Sequence, residues 1–180
     1  AGLIQAAHAL GLEADTAFFG VYSDAGIPAG NKVGSVGSSV ALTAANIQQQ
    51  LGKLATILRR QHVARGNMWC ALPPEAFGLL NEASWATLTD NKTEWSSGLI
   101  YEYAGMKIVE STEVAAVGTG DDEYQIMAFS PRAIALAANV NKIESMMNPS
   151  DFGEIVRGLY NFGVKVIYGK EVAVLSAQVA

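Results

Sequence analysis

The 180-residue sequence has one cysteine, Cys70, and two histidines, His8 and His62. A single cysteine excludes an internal disulfide and every paired-cysteine metal site. Neither histidine has a carboxylate or cysteine at ligand spacing, so no metal residue is assigned. Charge is scarce too, with 16% Asp, Glu, Lys and Arg against about 25% in an average soluble protein. The balance is 12 basic to 17 acidic side chains, net −5. That argues against a nucleic-acid binder that works by neutralising phosphates. No apolar run approaches the roughly 18 residues of a membrane span, and no basic lead-in with an apolar core marks an export signal. The expectation is a soluble chain, intracellular when made, with no membrane partner.

What is abundant is apolar residues, half of the total. Disorder is thereby excluded for most of the chain, and the length allows one domain or two lobes sharing a core. Near the N-terminus Ile4, Ala7, Ala14, Phe18 and Val21 fall at helical spacing. Gly11 weakens that helix by about 1 kcal/mol relative to alanine. The helix begins at the first residues with no cap, which suggests a preceding segment. Residues 23–40 hold Gly26, Gly30, Gly34 and Gly37, a proline and four serines, and read as a long irregular, mobile connection.

The clearest element follows. Thr43 is placed to cap a helix, and Ile47, Leu51, Leu54 and Leu58 recur at steps of four, three and four. The spacing predicts about five turns, near 30 Å. Arg59, Arg60 and His62 lie in its last turn, where positive charge complements the helix dipole. Residues 68–72 read as a buried strand, and Pro74 opens a short helix to Leu80. Residues 99–103 and 106–110 read as two strands around a tight turn, 112–123 as a small-residue loop, and 124–129 as a strand. Ser130, Pro131 and Arg132 have the form of a helix start, predicting a helix to Asn139. Residues 152–162 fit helical and alternating spacing almost equally, whereas 164–168 and 172–175 read as strands. The fold class is α+β.

Little in this pattern carries chemistry. A Cys70/His62 nucleophile pair is conceivable, yet Cys70 lies mid-strand between Trp69 and Ala71, the ordinary setting of a small buried thiol. The glycine-rich stretch lacks Gly-Lys-Ser/Thr and Gly-x-Gly-x-x-Gly, and no Gly-x-Ser-x-Gly elbow occurs. Asp121, Asp122 and Glu123 lack calcium-loop spacing. Asn91-Lys92-Thr93 is a formal glycosylation site without an export context. Trp85 and Trp95, in a polar stretch, fit interface anchors as well as half-buried core. No catalytic, cofactor-binding or metal residue is assigned, and no cofactor is expected.

The order of elements is more telling. Residues 42–80, LTAANIQQQLGKLATILRRQHVARGNMWCALPPEAFGLL, resemble a segment of tailed-phage major capsid proteins of the Hong Kong 97 type. There a long spine helix leads through a turn into a strand and a Pro-acidic helix start. Residues 98–111 (GLIYEYAGMKIVES) are similar to the family's glycine-marked turn and apolar strand. Residues 128–138 (AFSPRAIALAA) resemble the helix after the axial loop, and 140–180 the long hairpin and closing strands. Residues 3–22 resemble the helix before the spine in podovirus-like members. Family members also carry an N-terminal arm and an extended loop ahead of that helix, and both lie outside these 180 residues.

The resemblance implies a structural, non-enzymatic subunit of a phage or prophage capsid shell around double-stranded DNA. Its partners would be copies of itself in pentamers and hexamers, with scaffolding, portal or decoration proteins, and no sequence-specific nucleic-acid contact. Its place would be the virion capsid, assembled in the bacterial cytoplasm. Ile47 to Leu58 would be the spine. A peripheral domain would hold residues 1–70 and 139–162, with a hairpin around Asn148-Pro149. An axial domain would hold 71–138 and 163–180, with 112–123 forming a loop at the capsomer axis. An encapsulin-type compartment shell is the alternative within the fold. A small intracellular enzyme using Cys70 or the glycine-rich loop is the alternative outside it.

Overall fold

A computed structural model describes residues 2–83, 101–118, 122–147 and 154–179. Trp85, Trp95, Asn91, Asp121 and the Asn148-Pro149 hairpin tip therefore lie outside the described residues. In chain order the elements begin with α1 (Gly2–Gly20), β1 (Lys32–Val33), β2 (Val40–Leu42), α2 (Ile47–Arg60), β3 (Met68–Leu72) and α3 (Pro74–Glu82). Then come β4 (Tyr101–Tyr103), β5 (Met106–Glu110), β6 (Ala116–Val117) and β7 (Glu123–Phe129). The chain ends with β8 (Ile134–Met147), β9 (Glu154–Val166) and β10 (Val172–Val179). No described helix is long and apolar enough to cross a membrane.

Eight strands make one mixed sheet in the order β1-β10-β7-β3-β5-β4, with β2 also on β10 and β6 on β7. Alternation sorts its side chains onto two faces. Met68, Cys70, Leu72, Ile126, Ala128 and Leu175 point to the face covered by α2 and α3. The α2 stripe Ile47, Leu51, Leu54 and Leu58 is fully buried there, as its spacing predicts. Each such side chain contributes roughly 1.5–3 kcal/mol by leaving water, so packing rather than propensity holds α2. Ala71, Met127, Val172 and Val174 point the other way, onto Phe19 at the end of α1 and onto Ile27 and Val114. Phe18 meets Phe19 and Phe129 edge to face at 5.4 and 5.3 Å.

Several expectations are corrected. The second helix has 14 residues, not five turns, because Asn46 rather than Thr43 stands at its N-cap. Asn46 Oδ1 accepts from the Thr43 amide at 2.9 Å while its Nδ2 donates to the Ala41 carbonyl at 2.8 Å. That tie holds the preceding chain in β2 and delays the helix. The boundary expected at residue 70 falls inside β3, and α2 shares one core with β3, β5, β7 and β10. The helix expected from Arg132 to Asn139 is instead the start of β8. Ile-Ala-Leu-Ala-Ala favours helix locally, but these residues pair with β9 in continuous register from Ile134↔Val166, and tertiary pairing overrides propensity.

Residues 23–40 are pinned rather than loose. Buried Asn31 donates through Nδ2 to the carbonyls of Lys170 and Val172, both at 2.9 Å. The first half of 112–123 is likewise held in the fold. Val114 is buried, the Gln125 amide donates to the Ala115 carbonyl at 2.8 Å, and β6 pairs with β7. A free axial loop over that whole span is therefore excluded.

Two glycines separate strain from freedom. An ideal Cβ on Gly169 would lie 1.8 Å from the Gly26 carbonyl oxygen, so two backbones touch there. A Cβ on Gly52, inside α2, meets nothing within 4 Å. Gly52→Ala should raise the unfolding free energy by about 0.5–1 kcal/mol, and Gly169→Ala should lower it by about 2 kcal/mol or more through backbone displacement. Urea titration of the two variants checks both signs.

Candidate assembly surface

The hairpin β8–β9 forms a sheet of its own. Its strands of 14 and 13 residues pair with each other and, among the described residues, with no other strand. A two-stranded ribbon is marginal in water by itself, and among the described residues the outer edge of each strand pairs with no further strand. At its root Ile134 and Val166 are buried in the second core cluster, and α1 lies along β9. Further out Leu136 is 51% and Met147 82% exposed. A surface depression of about 270 Å³ opens among Ala137, Ala138, Asn139, Asn161 and Phe162. A bulge between Val140 and Lys142 shifts the register and increases the local twist. Exposed apolar side chains on a two-stranded ribbon form a surface suited to another chain.

One corner fixes where that ribbon points. The chain leaves β7 through Ser130–Ala133 and returns through 167–171, so both crossings share it. Buried Glu171 accepts from Ser130 Oγ and from Arg132 Nε, the latter at 2.8 Å, and is bridged to the Arg132 Nη2 as well. The Ala133 carbonyl accepts from the amides of Ile167 and Tyr168 at 2.8 and 3.1 Å. The Arg132 guanidinium stands over the Tyr168 ring at 5.8 Å. Hydrogen bonding from Arg132 holds the Glu171 carboxyl below its ordinary value, assisted by Ser130 and opposed by burial. The sequence offered Ser-Pro-Arg only as a helix start, and nothing in it linked those residues to a glutamate 39 positions from Arg132.

The residues singled out for chemistry do not converge. Cys70 is buried on β3, and burial pushes its thiol up to about 12, the opposite of an activated nucleophile. His62 is exposed beyond the end of α2, with φ of 63°. Asp122 accepts from Gln178 Nε2 at 2.6 Å, and Glu123 accepts from the Gly37 amide at 2.9 Å. These carboxylates hold loops. No group of His, Cys, Asp and Glu able to hold a metal occurs among the described residues. Buried Ser176 Oγ donates to Gln125 Oε1 at 2.7 Å across β10 and β7, leaving Gln125 Nε2 without a partner.

No protein-family model and no curated protein matches the sequence. Solved structures do. A structure titled for Mycobacterium phage Che8 superposes with a TM-score of 0.73 at 21% identity, covering 94% of this chain and 60% of that one. The capsid structure of cyanophage P-SCSP1u gives 0.69 at 15% identity, over 98% and 65% of the two chains. A virus-like particle from Pyrococcus furiosus gives 0.55 at 12%, over 91% and 62%. The fold is thus α+β of the Hong Kong 97-like capsid type. The chain spans less than two thirds of the length of each of these neighbours.

Two outcomes test the corner and the thiol. Because the folded-state pKa of Glu171 is depressed, its network stabilises the fold above the ordinary glutamate value of 4.5 and loses that contribution as pH falls below it. The urea midpoint should therefore drop more steeply between neutral and acid pH in the native chain than in Glu171→Gln. Cys70 should react with an aromatic disulfide reagent only once denaturant opens the core. Fast labelling of the native chain would restore the nucleophile reading.

Proposed function

We propose that this chain is a structural subunit of a tailed-phage or prophage capsid, located in the virion and assembled in the host cytoplasm. Copies of it associate into pentamers and hexamers of a shell around double-stranded DNA. The observation that carries the reading is the superposition on phage structures over 94% and 98% of the chain. The sandwich of α2 and α3 on the eight-stranded sheet serves as the axial body. The hairpin β8–β9 with α1 serves as the peripheral part. In this division α1, 19 residues long and packed along β9, takes the place of the spine helix, and α2 belongs to the body.

Shell chemistry suits the composition. A closed lattice adds many modest contacts, so a subunit needs adhesive faces rather than an active site. Low, net negative charge also suits a wall past which packaged DNA slides. A compartment shell is the second reading, supported by the Pyrococcus furiosus particle, but its TM-score of 0.55 stands below 0.73 and 0.69 for the two phage structures. Scaffolding, portal and decoration proteins are the further partners that a phage shell calls for.

Native mass measured across a concentration series, with negative-stain images of the same samples, tests the proposal. Rings of five or six copies, or closed shells, are expected. A monomer at every concentration, with no ring in the images, would count against self-association by this chain.

A further inference from the structure

A groove of about 510 Å³ lies between Gly26 and Pro28 on one side and residues 167–171 on the other, closed at one end by Gln61 beyond α2. Its rim carries Ile167 and Tyr168, each 54% exposed. Two large apolar side chains so exposed beside a concavity are what a docking surface presents. Exposed Lys170 lines the groove, and exposed Arg132 stands over Tyr168 at its edge. Glu171, which also lines the groove, is paired with Arg132, so the groove is apolar at its lip and keeps the positive charge of Lys170 at its flank.

The opposite end of the sheet has the complementary character. Along β10 the neighbouring strand breaks into an excursion between β1 and β2, and its tip is a tight turn closed by Ser35 and Ser38, with mutual backbone bonds of 3.2 and 2.9 Å. Gly37 has φ of +80° there, and Val36 projects 55% exposed. Glu123 grips the Gly37 amide, so the turn is a built knob and not a loose loop. Asp122 and Glu123 flank it. Glu110 and Glu75 lie at the same end of the sheet, since Glu110 pairs with Leu72 and Glu75 acts on Tyr124 at the start of β7. The seven residues of β7 separate the two ends by about 20 Å.

We propose that the groove at residues 167–171 receives the Val36 turn and the Asp122 and Glu123 carboxylates of a second copy of this chain. The contact is head to tail, a surface of one kind meeting a surface of another, and such contacts generate rings when the rotation closes. This deepens the capsid reading, on which it rests, by naming which faces meet inside the ring. Val36 meets Ile167 and Tyr168, while the carboxylates face Lys170 and Arg132.

Charge reversal at two exposed residues tests it on the full chain. Lys170→Glu sets a carboxylate against the neighbour's Asp122, and Asp122→Lys sets an ammonium against the neighbour's Lys170. Each variant alone should self-associate about tenfold or more weakly than the native chain by sedimentation, and Lys170→Glu, whose side chain holds no loop, should do so with an unchanged urea midpoint. An equimolar mixture should reassemble, because every unlike pair then meets with opposite charges. Unlike subunits must alternate around a ring, so hexamers return in native mass spectra and pentamers do not. Single variants that assemble like the native chain, or a mixture that stays dissociated, would overturn the contact while leaving the shell reading in place. A native chain that never associates would overturn both.

Discussion

Everything that projects from this molecule depends on burying one carboxylate. Glu171 lies where the sheet hands the chain to the long hairpin and takes it back. An ionised carboxyl placed there without partners would be costly. Ser130 and Arg132 satisfy it from the outgoing strand connection, and the segment around Asn31 clamps the carbonyls on either side of it from a third stretch of chain. Three segments distant in sequence are thereby locked at one point. The lock sets orientation more than stability, since a charged cluster with one exposed partner contributes modestly to free energy. A ribbon anchored at one end needs that direction fixed if its far end is to meet a neighbour.

The sheet explains why the anchor can be rigid. One face is sealed by α2 and α3 through a continuous apolar layer, and the other is covered near β7 and β10 by the end of α1 and by Ile27 and Val114. Toward β5 the second face carries partly exposed side chains among the described residues. There Lys107 stands over the Trp69 ring at 5.0 Å, and Val109 is exposed. The tight β4–β5 turn carries positive φ at both Ala104 and Gly105, as a two-residue hairpin requires. Arg59, from the end of α2, donates to the Ala104 carbonyl and so ties helix to turn.

Period was the legible part of the sequence. The four-three-four stripe of α2 and the apolar runs of β3, β5, β7 and β10 report burial directly, because a face toward a core must repeat as the backbone does. What was illegible depends on partners far away in the chain. Residues 134–139 are a helix by propensity and a strand by pairing, and no local signal reveals β9 as their neighbour. Asn31 sits among glycines and serines and reads as loop, although its amide makes two bonds 139 and 141 residues away. The candidate assembly surface was legible only as a shortage of charge and of chemistry, with its location hidden in the register of the hairpin.

That shortage has a further meaning once the strands are in place. Among the described residues the remaining charges are biased by the direction of the sheet, with Glu171 and Glu102 the carboxylates that lie among the cations. Arg59 and Arg60 end α2, where the helix dipole favours cations, and Arg65, Arg132 and Lys170 lie at the same end of the body. Glu75, Glu110, Asp122 and Glu123 lie at the other, where the strands begin or finish in the opposite sense. A net charge of −5 therefore conceals a polar body. Polarity of this kind disfavours contacts that join like surfaces, because they would set cation against cation or carboxylate against carboxylate. It favours contacts that join unlike ends, and a subunit with two unlike ends builds rings or lattices instead of isolated twofold pairs.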